Sequence, residues 1–123
     1  QDPRNPQGII AVLAVSDRAV VSSGDYQRFF EQDGKRYHHI LDPATGKPAG
    51  RVMQTTVITD SAMDADILST TLFVLGMQEG LEFVHGLPAT EAIFVGLDKQ
   101  INYTEGLSGQ LEFTGNGDYK TAD

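Results

Sequence analysis

An α+β fold, a mostly antiparallel sheet packed with a few helices, is predicted by three features of the chain. Asp33-Gly34 separates two aromatic-rich runs, a strong hairpin signal. A Val/Ile/Thr-rich run over residues 52–59 reads as a strand and passes directly into a helical segment with capping residues at both ends. Two consecutive helices then precede further strands, an order unlike the regular strand–helix alternation of a parallel sheet.

The remaining elements follow in order. Residues 1–8 hold two prolines, an asparagine and a glycine and read as irregular, and residues 9–15 form a nearly continuous apolar run expected to be a buried strand. Ser16-Asp17-Arg18 turns the chain into a β-branched run, Ala19-Val20-Val21, which ends at Ser22-Ser23-Gly24-Asp25, a small polar loop able to expose backbone amides. Residues 26–31 and 35–41 are the hairpin arms. The stretch from Asp42 to Pro48 has turn chemistry throughout, because its prolines remove ladder donors. Asp60 or Ser61 caps a helix that runs to about Leu75 and closes at Gly76; a shorter helix follows over residues 78–85. Residues 92–97 and 100–103 read as strands around Asp98-Lys99, and the polar tail from Thr114 is expected to fray.

At 123 residues and 40% hydrophobic content the chain suits one domain. Its formal net charge of −8 excludes an electrostatic grip on nucleic acid, which it would repel. No stretch reaches the ~20 apolar residues needed to span a bilayer. The absence of cysteine excludes disulfides, thiolate metal sites and a cysteine nucleophile.

Three groups of residues carry possible chemistry. Asp66 and Thr70 are four apart on the predicted helix, so carboxylate and hydroxyl lie on one face and suit a hard cation such as Mg²⁺. The plainer alternative is that Asp60, Asp64 and Asp66 complement the helix dipole in water; against it, Asp66 stands among Ala65, Ile67 and Leu68, which read as buried. His38 and His39 are adjacent on a strand and must point to opposite faces, so they cannot share a metal: one faces inward as a structural group, and the other is free to act as a general base or is itself structural. Ser22-Ser23-Gly24-Asp25-Tyr26 is either a plain turn or a backbone cradle for a phosphate, with neither a dinucleotide fingerprint nor a P-loop.

Taken together, Ser23-Gly24-Asp25-Tyr26, Phe29-Phe30, the run from Gly34 to Pro43, Thr45-Gly46, Thr56-Val57-Ile58, Ala65-Asp66 and Leu72-Phe73-Val74-Leu75-Gly76 resemble the ApbE family in order and spacing. The resemblance spans residues 1–107 and rests on the joint pattern His-Ile-x-Asp-Pro-x-Thr-Gly with Ala-Asp-x-x-x-Thr. It implies the C-terminal part of an ApbE-like (T-fold-like) flavin transferase, residues 1–123 being one unit. It also implies transfer of FMN from FAD to a Thr or Ser hydroxyl of an acceptor protein, with release of AMP. Asp66 and Thr70 would hold Mg²⁺. His39 would activate the acceptor hydroxyl with Asp42 orienting it, and His38 would be structural. Ser23, Gly24, His39, Asp42, Thr45 and Gly46 would line the FAD site.

Members of the family are typically more than twice as long. The resemblance therefore implies a missing N-terminal half with further strands and flavin contacts, so that residues 1–123 need that segment or a dimer mate to cover apolar edges. With few basic residues near the site, the pyrophosphate charge would fall to metal and backbone amides. The implied location is periplasmic or otherwise extracytoplasmic in bacteria. A non-catalytic FAD-binding module is the alternative from a different class.

Overall fold

In the computed structural model, which describes residues 1–122, every residue of strand β5 (Val52–Thr59) is buried. That follows from its Val/Ile/Thr content and its central position: it pairs antiparallel with β2 (Ala19–Gly24) on one side and β6 (Glu91–Gly96) on the other. The five-stranded sheet has the order β2-β5-β6-β7-β9, with β7 at Gln100–Tyr103 and β9 at Lys120–Thr121. All pairings are antiparallel except that of β9 with β7.

Helices α1 (Ala62–Leu75) and α2 (Met77–His85) pack on one face, α1 over β2 and β5 and α2 over β6. Alternation along β6 sends Ala92 and Phe94 into the helical core with Val57, Ala65, Leu72 and Phe73, while Val95 joins Met53, Ile101 and Ile10 on the other face. Ser61 caps α1, its Oγ accepting from the amide of Asp64 at 3.2 Å. Asp60 instead pairs with Arg18 at 3.4 Å. Gly76, at φ +81°, ends α1 and starts α2 in a conformation that L side chains rarely adopt.

The hairpin forms as expected: β3 (Phe29–Gln32) and β4 (Lys35–His38) join through Asp33 and Gly34, both at positive φ. Two expectations fail. The apolar run 9–15 is not a buried strand of the main sheet; only β1 (Ala11–Leu13) is regular, it pairs with β8 (Leu111–Phe113) in a separate ribbon, and Val12 is 52% exposed. Periodicity cannot distinguish a short apolar run that lies within a sheet from one that covers its face. Nor does the tail fray over its described residues, since β9 extends the main sheet and the Tyr119 hydroxyl donates to Asp2 Oδ1 at 2.6 Å.

That last contact ties the two ends of the chain together. Burial pushes the Asp2 carboxyl up, but the Tyr119 hydroxyl and the amides of Arg4 and Asn5 outweigh it and hold the group below its usual value. Burial, then the hydrogen bond to Asp2, raises the Tyr119 phenol. A carboxylate with a depressed folded pKa stabilises the fold above its unfolded value, and that stability is lost as pH falls through the folded one. Tyr119→Phe is therefore expected to cost about 1–2 kcal/mol near neutrality. In urea denaturation followed from pH 7 to pH 2, its stability should also fall less steeply than that of the wild type below about pH 4.

Candidate functional site

The site is assembled where the end of β2 meets α1. Ser23 is buried, and its Oγ lies 2.9 Å from Ser69 Oγ and 3.1 Å from Thr70 Oγ1, while Ser69 Oγ donates to the Asp66 carbonyl at 3.0 Å. Each hydroxyl has one proton to give, so the direction of the chain is determined. Ser69 donates to Asp66, Ser23 donates to Ser69, and Thr70 donates to Ser23. The Thr70 oxygen thus keeps acceptor lone pairs, one helical turn from the Asp66 carboxylate, which has no hydrogen bond or ion pair among the described residues.

Two sequence expectations change here. Ser22, Ser23 and Gly24 belong to the strand, paired with Thr56, Thr55 and Gln54, and do not form an open loop. Of the neighbours expected to be buried, Ala65 is buried and Leu68 half-buried, but Ile67 is 59% exposed and Asp66 itself is exposed, so no burial cost weighs on its charge. Gly24 is required because a Cβ there would stand 2.3 Å from Tyr26 Cε1, and the folded-back Tyr26 hydroxyl reaches Gln54 at 3.1 Å. Burial, followed by the charge of Asp25, raises the Tyr26 phenol.

The two histidines diverge as their adjacency requires. His38 is buried; Nδ1 accepts from the Ile40 amide at 3.2 Å, Nε2 donates to the Ala49 carbonyl at 2.5 Å, and the ring meets Phe73 edge-on with centroids 5.4 Å apart. His39 is exposed, and its Nδ1 lies 3.3 Å from the Arg28 carbonyl. A carbonyl only accepts, so Nδ1 carries the proton and the Nε2 lone pair is left open as a base.

Asp42 does not orient His39. Its Oδ1 accepts from the Ala44 amide at 2.9 Å and its carbonyl accepts from Thr45 and Gly46 at 3.2 and 2.8 Å, organising its own loop, with Gly46 at φ +67°. Thr45 Oγ1 accepts from the Lys47 amide at 3.2 Å. This exposed loop is held to the core through Ile40, whose carbonyl accepts from Ala49 at 2.9 Å.

Asp66, Thr70 and Phe73 lie at i, i+4 and i+7 along one helix face. Ser23 docks β2 on the middle of that stripe and His38 docks the hairpin on its end, so the three groups of the sequence converge on α1. Sequence reasoning missed a fourth feature, the buried Asp25, which takes a bidentate pair from Arg4 at 2.6 and 2.7 Å and a longer contact from Arg36 at 3.4 Å. The hydrogen bonds that Arg4 donates to Asp25 raise its guanidinium further. No local spacing signals a pair 21 residues apart.

As a test of a metal at this place, the described residues hold no group of three His, Cys, Asp or Glu side chains suited to one. What the chain offers is one free carboxylate and one hydroxyl oxygen, which fits a hard cation that keeps waters and substrate phosphates as its other ligands.

The architecture defines the chain first as a member of a class, an α+β unit shared with solved flavin transferases. It superposes on the ApbE protein of Thermotoga maritima with a TM-score of 0.79 at 38% identity, covering 89% of this chain and 36% of that one. It matches the flavinyl transferase ApbE of Pseudomonas stutzeri, apo form, with a TM-score of 0.63 at 35% identity over 82% of this chain and 36% of that one. The FAD:protein FMN transferase of Treponema pallidum is 40% identical over 109 residues, 85% of this chain and 30% of its own length. The ApbE family model matches residues 1–94, and the chain belongs to the ApbE family. It spans about a third of the length of these relatives.

The histidine assignments separate in a stability measurement. His38→Ala should cost about 2–4 kcal/mol, the sum of a cavity beside Phe73 and unmet backbone partners. His39→Ala should stay within about 0.5 kcal/mol, as an exposed substitution does. Guanidinium unfolding curves of the two variants check both.

Proposed function

We propose that this chain carries the transfer centre of an FAD:protein FMN transferase, which moves FMN from FAD to a Thr or Ser hydroxyl of an acceptor protein and releases AMP. The observation that carries the reading is the Thr70–Ser23–Ser69 hydroxyl chain to the Asp66 carbonyl, which leaves the Thr70 oxygen open one turn from the exposed Asp66 carboxylate on the helix where the hairpin bearing His39 docks. The family membership and the names of the relatives support the activity.

His39 Nε2 takes the proton of the acceptor hydroxyl as its oxygen attacks the FMN-side phosphorus. The bond to the AMP-side oxygen breaks, and AMP leaves with that electron pair. Asp66 and Thr70 would hold Mg²⁺, which when bound would supply charge neutralisation at the pyrophosphate. Ser23, Gly24, His39, Asp42, Thr45 and Gly46 border the FAD, the loop around Gly46 being shaped by Asp42. The exposed apolar side chains of Ile67 and Met63 beside Asp66 support a covering N-terminal segment or dimer mate. The place of action in this reading is outside the cytoplasmic membrane of a bacterium.

The test is intact-mass spectrometry of a Thr-containing acceptor peptide incubated with the protein, FAD and Mg²⁺, with an EDTA control. An EDTA-sensitive gain of one FMN is expected; FAD bound without any such gain would favour a non-catalytic flavin module. In the same assay His39→Ala should retain FAD and lose roughly 10²–10⁴-fold in rate. Asp66→Ala should lose at least the ~10–100-fold that removing even an outer partner of a metal costs, and should shift the Mg²⁺ titration to higher concentration. Full activity in either variant would remove that residue from the mechanism.

A further inference from the structure

The charge of the molecule is segregated. Residues 28–51 hold five of the nine Lys and Arg but three of the seventeen Asp and Glu, a net charge of +2 in a chain of −8. The hairpin register sorts those charges between two faces. Phe29 faces His38 and Glu31 faces Arg36 on the side turned to the body, where Arg36 meets Asp25, Glu31 and the Phe29 ring. Phe30 faces Tyr37 and Gln32 faces Lys35 on the opposite side.

The ladder runs one step beyond β4, since the His39 amide donates to the Arg28 carbonyl at 3.1 Å. Arg28 and His39 therefore share the outward face with Phe30, Tyr37 and Lys35. On that face Phe30 is 60% exposed and stacks on Tyr37 with centroids 5.1 Å apart, and Lys35 lies over the Tyr37 ring. Among the described residues neither Arg28 nor Lys35 has a carboxylate partner, in contrast to Arg36. Lys35, Tyr37 and Lys47 also border a cleft of about 460 Å³ beside β4.

We infer that this outward hairpin face is the docking track of the acceptor, and that it takes an extended segment with acidic side chains flanking the modified hydroxyl; the inference rests on the transferase reading above. A flat aromatic pair offers apolar contact to a passing chain, and unpaired cations on an otherwise acidic surface select for negative charge and repel other segments. His39 stands at the base of the same face, so a segment held along it presents its hydroxyl to Nε2. Asp33 in the turn at the tip of the hairpin distinguishes this surface from one made for an anionic bilayer.

The experiment compares two labelled Thr-containing peptides on the full native chain with FAD bound: one with Asp and Glu around the Thr, the other with Asn and Gln. Fluorescence anisotropy should show the acidic peptide bound about fivefold or more tightly, a preference that salt weakens and that Arg28→Gln with Lys35→Gln removes. Phe30→Ala should weaken both peptides by about fivefold, as loss of an aromatic anchor does. FAD affinity and the melting curve should stay unchanged in all these variants. Equal binding of the two peptides to the wild type would overturn the inference, as would variants that lose FAD and keep the acidic preference. Acidic preference without any FMN transfer would instead remove the transferase reading and leave the docking face.

Discussion

The polar seam between α1 and the sheet sets the positions on which the rest of the site depends. Thr55 Oγ1, fully buried, donates to the Ser69 carbonyl at 2.6 Å, and Ser23 Oγ meets Ser69 and Thr70 from the neighbouring strand. An apolar helix–sheet contact tolerates small slips; buried hydroxyls do not, because each lost partner leaves an unsatisfied group at about 1–3 kcal/mol. Rotation of α1 about its axis is thereby fixed, and with it the direction of Asp66 and Thr70 on one side and of Phe73 beneath the hairpin.

From that fixed helix the hairpin inherits its position. His38 works as a rigid strut, each ring nitrogen paired to a backbone group and its edge set against Phe73. Its neighbour is thrown outward by strand alternation, where a single contact to the Arg28 carbonyl orients it and leaves one nitrogen open. Buried histidine and exposed histidine thus form one device, the first supplying rigidity and the second, in the proposed reaction, the base. The same alternation separates Arg36, paired with Asp25 and Glu31, from Lys35, which lies over the Tyr37 ring, so the electrostatics of the hairpin come from pleat geometry as much as from composition.

Long-range polar contacts close the structure. Arg4 reaches Asp25 and Tyr119 reaches Asp2, tying the N-terminal loop to the end of β2 and to the tail. Removing Arg4 is costly because it leaves the buried Asp25 carboxylate with only the longer Arg36 contact, even though such a pair adds little over an apolar replacement. The family's longer relatives share this unit over most of its length, and all the proposed site residues fall within the matched region 1–94.

Local chemistry was legible from residue order alone: the Asp33-Gly34 turn, β5, α1 with Ser61 and Gly76 as caps, and the opposite facing of His38 and His39. Those features depend on neighbours within a few residues, where dihedral preference and periodicity act directly. Order and spacing also made the ApbE resemblance readable. The apolar run at residues 9–15 and the polar tail were not readable: the run pairs with β8, from Ala11 to Phe113, the tail joins β7 in parallel, from Lys120 to Gln100, and nothing in their own period names those partners. The Asp25–Arg4 pair, the diversion of Asp42 into its own loop and the exposure of Asp66 were likewise decided only by the tertiary structure. In each case the outcome turns on which distant group arrives to satisfy or uncover a polar side chain, and that is settled by packing.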